Sequence, residues 1–314
     1  MSAPYECDLH THTNRSDGAD TYEELIDHAV DRGLKVIAIT DHDVRPLANL
    51  NTDQGEIPVQ EYGEKKGIKI IPGIEFSCNT EVEDVHILGL GCDFSDSGFA
   101  QQEDKIVESK VESYSVLCDR LTELGMPVSL DLVRRHRGRE IEESEIQKKM
   151  IFEYMADMGY APDWSQAKRM VKTTPELQIK RRKPEAEDMI RLIKKSGGIA
   201  VLAHPYLIEE PVIWKGQKIS RDQYIEILVE AGLDGIEGPY TYHKTSYGGV
   251  MTPEQIEKDI RDKYTDRVAF ISGGSDYHDD RIKGAAEEKC RELGEKGISY
   301  EDFSKTPLYR MVVK

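Results

Sequence analysis

The chain has 314 residues and a formal net charge of −17, from 42 basic and 59 acidic side chains. A chain of this length can bury one barrel-sized core or two ordinary domains. Its negative charge repels polyanions, so long nucleic acid is not an expected partner, although bound divalent ions would let a small phosphorylated molecule approach. No apolar run can span a bilayer, and no basic segment precedes an apolar one at the N-terminus, so we expect a cytoplasmic protein.

The cysteines predict reduced thiols rather than a disulfide framework. Their number is odd, their spacing shows no pairing, and no two form a CxxC motif; they are Cys7, Cys78, Cys92, Cys118 and Cys290. Free thiols are typical of a reducing compartment, which agrees with a cytoplasmic location. Without a CxxC pair, a structural zinc ribbon is not expected.

The first predicted strand leads into a pair of histidines. Residues 5–9 form this strand and are followed by His10 and His12. Since side chains alternate along a strand, the two rings project from one face and can share one metal ion. A single His-x-His motif is more often a polar strand edge, so its meaning depends on the rest of the chain.

A capped helix and a second strand follow. Thr21 and Glu24 predict a capping box for a helix that ends at Gly33. Residues 35–40 are apolar and rich in β-branched side chains, which predicts a buried parallel strand. This strand is followed by His42, a second potential ligand.

Two more strands carry potential ligands. Residues 44–67 have little pattern and predict a loop with one helix. Residues 68–74 form the third strand, which ends at Glu75. Residues 84–91 form the fourth, which carries His86.

The middle of the chain predicts an inserted helical subdomain over residues 96–187. It is rich in charge and has helical periodicity, most clearly over residues 102–124 and 142–158. Basic runs that include Arg134 and Arg181 interrupt it. Such runs are more often solvated helix faces than binding sites.

The alternation of strands and helices then resumes. The predicted strands are residues 199–203, 235–237 and 268–272, and the predicted helices are residues 185–195, 220–231 and 253–264. The first of these strands ends before His204, and the last is followed by Asp276 and His278. The alternation predicts an α/β barrel with a parallel sheet, formed by residues 1–95 and 188–314.

The potential ligands fall at one rim of this barrel. The carboxyl ends of barrel strands share a rim, which is where active sites form. The set comprises His10, His12, Asp17, His42, Glu75, His86, His204, Asp276 and His278. Nitrogen and oxygen donors without thiolate suit Zn, Mn or Fe. Nine ligands exceed the needs of one ion, so we expect two or three divalent ions that share a carboxylate and activate water.

These residues also carry a resemblance to a known family. In order, the segments DLHTHTNRSDG, AITDHD, GIEFS, DVHILGLG, IAVLAHP and GGSDYH resemble the motifs of the PHP (polymerase and histidinol phosphatase) family of metal-dependent phosphoesterases. The resemblance spans residues 7–280 and is closest to the small stand-alone members. It implies a distorted (β/α)7 barrel with a small helical insertion and a trinuclear metal centre.

The resemblance also implies how the ligands divide among three ions. The first ion would be held by His10, His12, Glu75 and Asp276. Glu75 would bridge to a second ion, completed by His86 and His204. Asp17, His42 and His278 would hold the third.

The insertion departs from the family pattern. The small nucleotide-hydrolysing members carry an Arg-Pro-His segment there that contacts substrate phosphate, whereas this chain has Lys148 and Lys149 after Ile146-Gln147. A lysine can replace the lost cation as a point charge but not bidentately. Other basic residues that can serve instead are Arg134, His136 and Arg181.

The loop over residues 240–249 is a second place where specificity can differ. It contains Tyr242, His243 and Tyr247 and follows a barrel strand, and we single out His243 as a potential substrate ligand. A surface loop with incidental aromatic residues is an equal alternative.

The function expected from these observations is hydrolysis of a phosphate ester on a small metabolite: a nucleotide phosphate, a sugar phosphate or a cyclic phosphate diester. A hydroxide that bridges two ions would attack phosphorus, and Asp276 or His204 would transfer a proton. The alternatives are a histidinol-phosphate phosphatase and a non-catalytic, metal-bearing PHP module. The negative charge and the retention of all nine ligands count against the non-catalytic module.

Overall fold

Within residues 3–53 and 55–313, which the computed structural model describes, seven strands form one curled sheet. In spatial order they are β1 (Cys7–Thr11), β2 (Val36–Ile39), β5 (Lys69–Cys78), β6 (Val85–Leu90), β7 (Ile199–Leu202), β10 (Gly235–Glu237) and β11 (Phe270–Ser272). A backbone bridge between Thr11 and Tyr277, which follows β11, brings the two edges together. The predicted fold class, a distorted α/β barrel, is confirmed.

One strand departs from the predicted parallel arrangement. β6 runs antiparallel to both β5 and β7, whereas the other neighbouring pairs are parallel. The connection from Cys78 to Val85 is too short for a crossover, which takes about a dozen residues, so β5 and β6 form a hairpin. The start of β6, which carries His86, therefore lies at the rim where the parallel strands end.

The predicted helices form with shifted ends, and a short helix near the C-terminus was not predicted. The helices are α1 (Tyr22–Asp31), α2 (Val59–Lys66), α3 (Ser97–Glu123), α4 (Leu130–Arg135), α5 (Lys148–Asp157), α6 (Trp164–Thr173), α7 (Ala186–Lys195), α8 (Arg221–Glu230), α9 (Pro253–Tyr264) and α10 (Tyr300–Phe303). The Thr21 hydroxyl accepts a hydrogen bond from the Glu24 amide, and the Thr21 amide donates to Glu24, so the predicted capping box is confirmed. Among the described residues, none of these helices has both the length and the apolarity to cross a bilayer.

Two short hairpins were not predicted. β3 (Asn49–Thr52) pairs with β4 (Gly55–Pro58) in a stretch predicted to be loop and one helix, and β8 (Val212–Trp214) pairs with β9 (Gln217–Ile219). Their strands are three or four residues long and lack the apolar alternation on which strand prediction depends. Gln54, in the first of these stretches, lies outside the described residues.

By their contacts the residues divide into two compact units, Met1–Ala100 with Pro184–Lys314, and Gln101–Lys183. In the first unit, one face of the sheet packs against the C-terminal segment, as Leu9 and Val201 do with Phe303. The second unit is helical and has its own core around Leu121 and Met155. That residues 96–187 are a separate subdomain stays a prediction. All five cysteines are buried, and none forms a disulfide in the described residues.

Candidate metal centre

β1 brings two histidine rings together at its C-terminal end. His10 and His12 are fully buried, and their Nε2 atoms lie 3.1 Å apart. The prediction that both rings project from one face of the strand is therefore confirmed. The shared point faced by the two Nε2 atoms is where the other potential ligands gather.

Glu75 on β5 lies at the centre of this gathering and is fully buried. Its Oε2 atom lies 3.0 Å from His10 Nε2 and 3.1 Å from His12 Nε2. Its Oε1 atom lies 2.8 Å from His86 Nδ1 and 3.2 Å from His204 Nε2. The two oxygens thus face different histidines, which is what a carboxylate shared between two ions requires.

Strained backbone carries two of the potential ligands. Asp276 has a φ angle of 53° and His204 one of 28°, in the left-handed region that residues with a Cβ atom rarely occupy. Asp276 Oδ1 lies 3.1 Å from His12 Nε2 and 3.5 Å from His10 Nε2. Backbone strain of this kind is concentrated at functional sites.

Asp17 and His42 complete the cluster on its solvent side. Asp17 Oδ1 lies 2.8 Å from His278 Nε2, and 4.0 Å from both His12 Nδ1 and His42 Nε2. His42 Nδ1 lies 3.2 Å from Glu75 Oε2, which connects this side to the buried centre. The Asp17 side chain is 55% exposed, whereas that of His278 is 4% exposed.

Three groups of potential ligands result among the described residues, each with ligand atoms within 4.8 Å of one another. They are His10, His12, Glu75 and Asp276; His42, Glu75 and His86; and His12, Asp17, His42 and His278. The first is the set that the resemblance implies. His204 Nε2 lies 3.2 Å from His86 Nδ1, so the nine residues meet in one cluster. Their division among ions stays a prediction.

The polar atoms of the cluster fit divalent cations. A neutral imidazole has one N–H and one lone pair, so rings that converge on the same carboxylates cannot all satisfy one another. The Nδ1 atoms of His12, His42 and His204 are buried without a hydrogen-bond partner. A cation accepts lone pairs from nitrogen and carboxylate oxygen alike, and this donor set suits Zn, Mn or Fe.

A buried carboxylate behind the cluster was missed in the sequence. Glu237 Oε1 lies 3.3 Å from His10 Nδ1, and its Oε2 accepts a hydrogen bond of 2.8 Å from the His204 amide. Carboxylates in this position orient ligand histidines and raise their basicity. Glu237 is the last residue of the predicted strand 235–237, and Glu75 directly follows the predicted strand 68–74. This shared position at the end of a strand is the signal by which Glu237 can be found in the sequence.

Without metal, His10 and His12 hold protons more firmly than free histidines, because their pKa values are raised. Burial alone would lower the pKa of His12, but hydrogen bonds to Asp276 and Glu75 overcome this effect and raise the pKa to about 9. Burial acts the same way on His10, where the charges of Glu75 and Glu237 raise the pKa well above its usual range. Burial opposes ionisation of Glu75, yet the charges of the neighbouring histidines, His42 first, hold its pKa well below the usual range.

Binding of Mn²⁺ to the metal-free protein near neutral pH is therefore expected to release protons. A ligand imidazole must be neutral, and the proton on His12 is lost only as the pH rises through about 9. Apparent affinity should thus increase with pH up to that value. Calorimetric titrations in buffers of different ionisation enthalpy measure the released protons, and equal heats in all buffers with a pH-independent affinity would contradict the prediction.

Six residues of the cluster line a cavity of about 240 Å³ in the first unit: Asp17, His42, His86, His204, Asp276 and His278. The cavity wall also includes Asp84, Leu207, Tyr240, Lys244, Thr245 and Arg291. Lys244 Nζ donates hydrogen bonds of 2.7 Å to Glu295 and to the Cys290 carbonyl, which leaves one N–H. Neither Lys244 nor Arg291 was singled out from the sequence, because no motif surrounds them.

His243, the substrate residue predicted from the 240–249 loop, lies outside the set of residues that line the cavity. The His243 side chain is 49% exposed and lies 3.8 Å from Glu295. Its neighbour Lys244 does line the cavity. The role of His243 stays a prediction.

The predicted substrate residues of the insertion lie in the second unit. Lys148 opens α5, where burial and the nearby Lys168 lower its pKa. Lys149 Nζ lies 5.0 Å from the centre of the Trp164 ring. Arg134 Nε lies 3.0 Å from Asp131 Oδ1, and the partly buried Arg181 lies in the chain between α6 and α7. Their contact with substrate stays a prediction.

Comparison with known families identifies the class of protein that this fold and site define. The sequence pattern of the PHP domain matches residues 8–296. The chain therefore belongs to the PHP domain family.

Individual relatives refine this assignment. The chain is 30% identical over 280 residues to the phosphoribosyl 1,2-cyclic phosphate 1,2-diphosphodiesterase of Eggerthella lenta. The aligned region covers 86% of this chain and 93% of the relative. The chain is 29% identical over 202 residues to a 5'-3' exoribonuclease of Haemophilus influenzae, covering 63% of this chain and 68% of the relative.

A solved structure agrees in fold. A protein of Bifidobacterium adolescentis described as a metal-dependent phosphoesterase superposes with a TM-score of 0.68 at 24% identity, over 99% of this chain and 98% of the other. The predicted enzyme class, a metal-dependent phosphoester hydrolase, is confirmed by the family and its relatives.

Proposed function

We propose that the chain hydrolyses a cyclic phosphodiester of a phosphorylated sugar. The relative in Eggerthella lenta is named for such a substrate and shares 30% identity over 86% of this chain. The observation that carries the proposal is the convergence of nine nitrogen- and oxygen-bearing side chains in one cluster, six of which line the cavity. Metal sites that catalyse phosphoryl transfer are built from such donors.

We infer that the cluster holds two or three ions of Mn, Zn or Fe, with Glu75 shared between two of them. When bound, such ions polarise phosphoryl oxygens and lower the pKa of water. The chain's own residues set the geometry. Glu237 holds His10 from behind, with Nε2 directed into the cluster.

Of the two residues predicted to act on the leaving oxygen, His204 is favoured. Both oxygens of Asp276 are engaged, since Oδ1 faces His12 and Oδ2 accepts hydrogen bonds from Tyr240 and Arg291. His204 keeps a buried Nδ1 atom without a partner. We propose that His204, which lines the cavity, donates a hydrogen bond to the leaving oxygen.

The cavity favours a small substrate. Its volume of about 240 Å³ lies below the range of about 300–1,000 Å³ that is typical of sites for drug-sized ligands. The net charge of −17 also opposes the approach of a long polyanion. We therefore do not propose long nucleic acid as the substrate. The exoribonuclease relative makes the 5' end of a short RNA the second candidate.

A substrate panel with metal-loaded protein tests the proposal. The panel contains a phosphoribosyl 1,2-cyclic phosphate, a nucleotide phosphate, histidinol phosphate and a short RNA with a 5' phosphate. We expect the highest kcat/KM with the cyclic phosphate, loss of turnover with a chelator and recovery with Mn²⁺. Preferential cleavage of the RNA would instead support the second candidate, and no turnover of any compound by fully loaded protein would support a non-catalytic module.

We further propose that Lys244 contacts the 5-phosphate of the substrate, which is not the phosphate that is hydrolysed. Lys244→Met is expected to lower kcat/KM about tenfold or more for a ribose 1,2-cyclic phosphate with a 5-phosphate, the size of one charged hydrogen bond, and much less for the analogue without it. Lys296→Met is the matched control, because Lys296 is similarly buried beside Glu254 but does not line the cavity.

The same pair of substrates separates Lys244 from the residues of the insertion. If Lys148 or Lys149 holds the second phosphate, Lys148→Ala or Lys149→Ala removes the preference for the 5-phosphate and Lys244→Met retains it. If only Lys244→Met loses the preference for the 5-phosphate, the result supports binding of this phosphate at the cavity wall.

A further inference from the structure

The two oxygens of Asp276 have separate surroundings. Oδ1 faces the ligand cluster, at 3.1 Å from His12 Nε2 and 3.4 Å from His278 Nδ1. Oδ2 faces away and accepts two hydrogen bonds, one of 2.7 Å from the Tyr240 hydroxyl and one of 2.6 Å from Arg291 Nη1. A carboxylate held in this way has one oxygen available to an ion.

The two donors to Oδ2 are themselves fixed. Tyr240 is 1% exposed, and its ring packs 5.1 Å from that of His204. Arg291 binds Asp280 with a forked pair of hydrogen bonds, 2.8 Å from Nε and 2.9 Å from Nη2. The guanidinium is therefore immobilised by one aspartate while it holds the other, a geometry that lysine cannot reproduce.

We propose that Tyr240 and Arg291 are positioning residues that restrict Asp276 to one-oxygen ligation and so favour a small ion over Ca²⁺. This inference rests on the proposed metal centre. Ca²⁺ takes six to eight oxygen ligands in flexible geometry and readily binds a carboxylate through both oxygens, whereas Mn²⁺ prefers octahedral coordination and Zn²⁺ tetrahedral coordination that includes imidazole. Release of Oδ2 would weaken the fixed geometry and open the two-oxygen mode.

Matched substitutions test the proposal by metal binding rather than by turnover. Tyr240→Phe removes the hydroxyl and keeps the ring, and Arg291→Lys keeps the charge and loses the fork. The controls are Tyr242→Phe, whose buried hydroxyl accepts a hydrogen bond from the Tyr206 amide, and Arg281→Lys, whose guanidinium binds Glu287. Neither control residue is hydrogen-bonded to a potential ligand in the described part of the chain.

The measurement is titration of the metal-free full-length proteins with Mn²⁺, followed by the electron paramagnetic resonance signal of free Mn²⁺, alone and in competition with Ca²⁺. Tyr240→Phe and Arg291→Lys should each weaken Mn²⁺ binding about 10- to 100-fold, the usual effect of losing such a contact, and shift the preference towards Ca²⁺. The controls should bind as the unaltered protein does.

The outcomes separate this inference from the metal centre itself. Unaltered protein that binds none of Mn²⁺, Zn²⁺ and Fe²⁺ overturns both. This inference alone is overturned if the unaltered protein binds Mn²⁺ and both variants, Tyr240→Phe and Arg291→Lys, bind it with the same affinity and the same preference over Ca²⁺. Melting temperatures of the metal-free proteins identify a variant that has lost its fold, and the other variant then decides.

Discussion

Replacing Glu75 with glutamine is expected to abolish turnover and to remove metal from two of the three ligand groups. Glu75 belongs to two of the three groups and is itself fully buried. Its two oxygens face five histidines: Oε2 faces His10, His12 and His42, and Oε1 faces His86 and His204. Glutamine keeps the shape but removes the charge and places an N–H₂ group where one ion would need an oxygen.

Metal content per chain and kcat/KM check this expectation together. The control is Glu187→Gln, because Glu187 is also buried in the first unit but lies beside Lys215 and not in the ligand groups. The control should keep both metal and activity. Full metal content in Glu75→Gln would refute the shared-carboxylate proposal, and activity retained after complete metal loss would refute the metal-dependent mechanism.

The residues of the cluster could be predicted because the barrel fixes where strand ends lie. His10, His42, Glu75 and His204 each follow or end an apolar run, and parallel strands place such positions at one rim. His86 lies near the start of its strand instead. Its place at the same rim depends on the β5–β6 hairpin, whose antiparallel direction follows from the short connection between the two strands.

The contacts behind the cluster could not be predicted in the same way. Tyr240 and Glu237 act on residues that are distant in sequence, and Arg291 reaches Asp276 from a loop after the last strand. A lone tyrosine or arginine in a loop has no periodic signal. Glu237 was within reach as the end of a predicted strand, but its meaning required the pairing of β10 with β7.

The 240–249 loop shows a further gap. The aromatic residues drew attention to His243, whereas the adjacent Lys244 lines the cavity. The short 3-10 turn over Tyr242–Lys244 decides which side chain points inward, and a turn of three residues leaves no pattern in the sequence.

Replacing Asp17 with asparagine is the second substitution with a large expected effect. Asp17 Oδ1 lies 2.8 Å from His278 Nε2 and belongs to a ligand group with His12 and His42. If this group holds an ion that binds substrate phosphate, the loss of the carboxylate charge lowers its occupancy and should reduce kcat/KM by about two orders of magnitude or more. The side chain is 55% exposed, so the melting temperature of the metal-free protein should change little.

The alternative role for Asp17, capping the helix that follows, does not explain its position. The N-cap of α1 is Thr21, whose hydroxyl accepts from the Glu24 amide. Asparagine caps helices about as well as aspartate, so a capping role predicts that Asp17→Asn leaves activity and metal content unchanged. Asp27→Asn is the control, because Asp27 is similarly exposed but pairs with Lys66 on the surface. Wild-type activity and full metal content in Asp17→Asn would remove Asp17 from the metal centre, whereas lost activity with a retained fold would place substrate binding at the exposed side of the cluster.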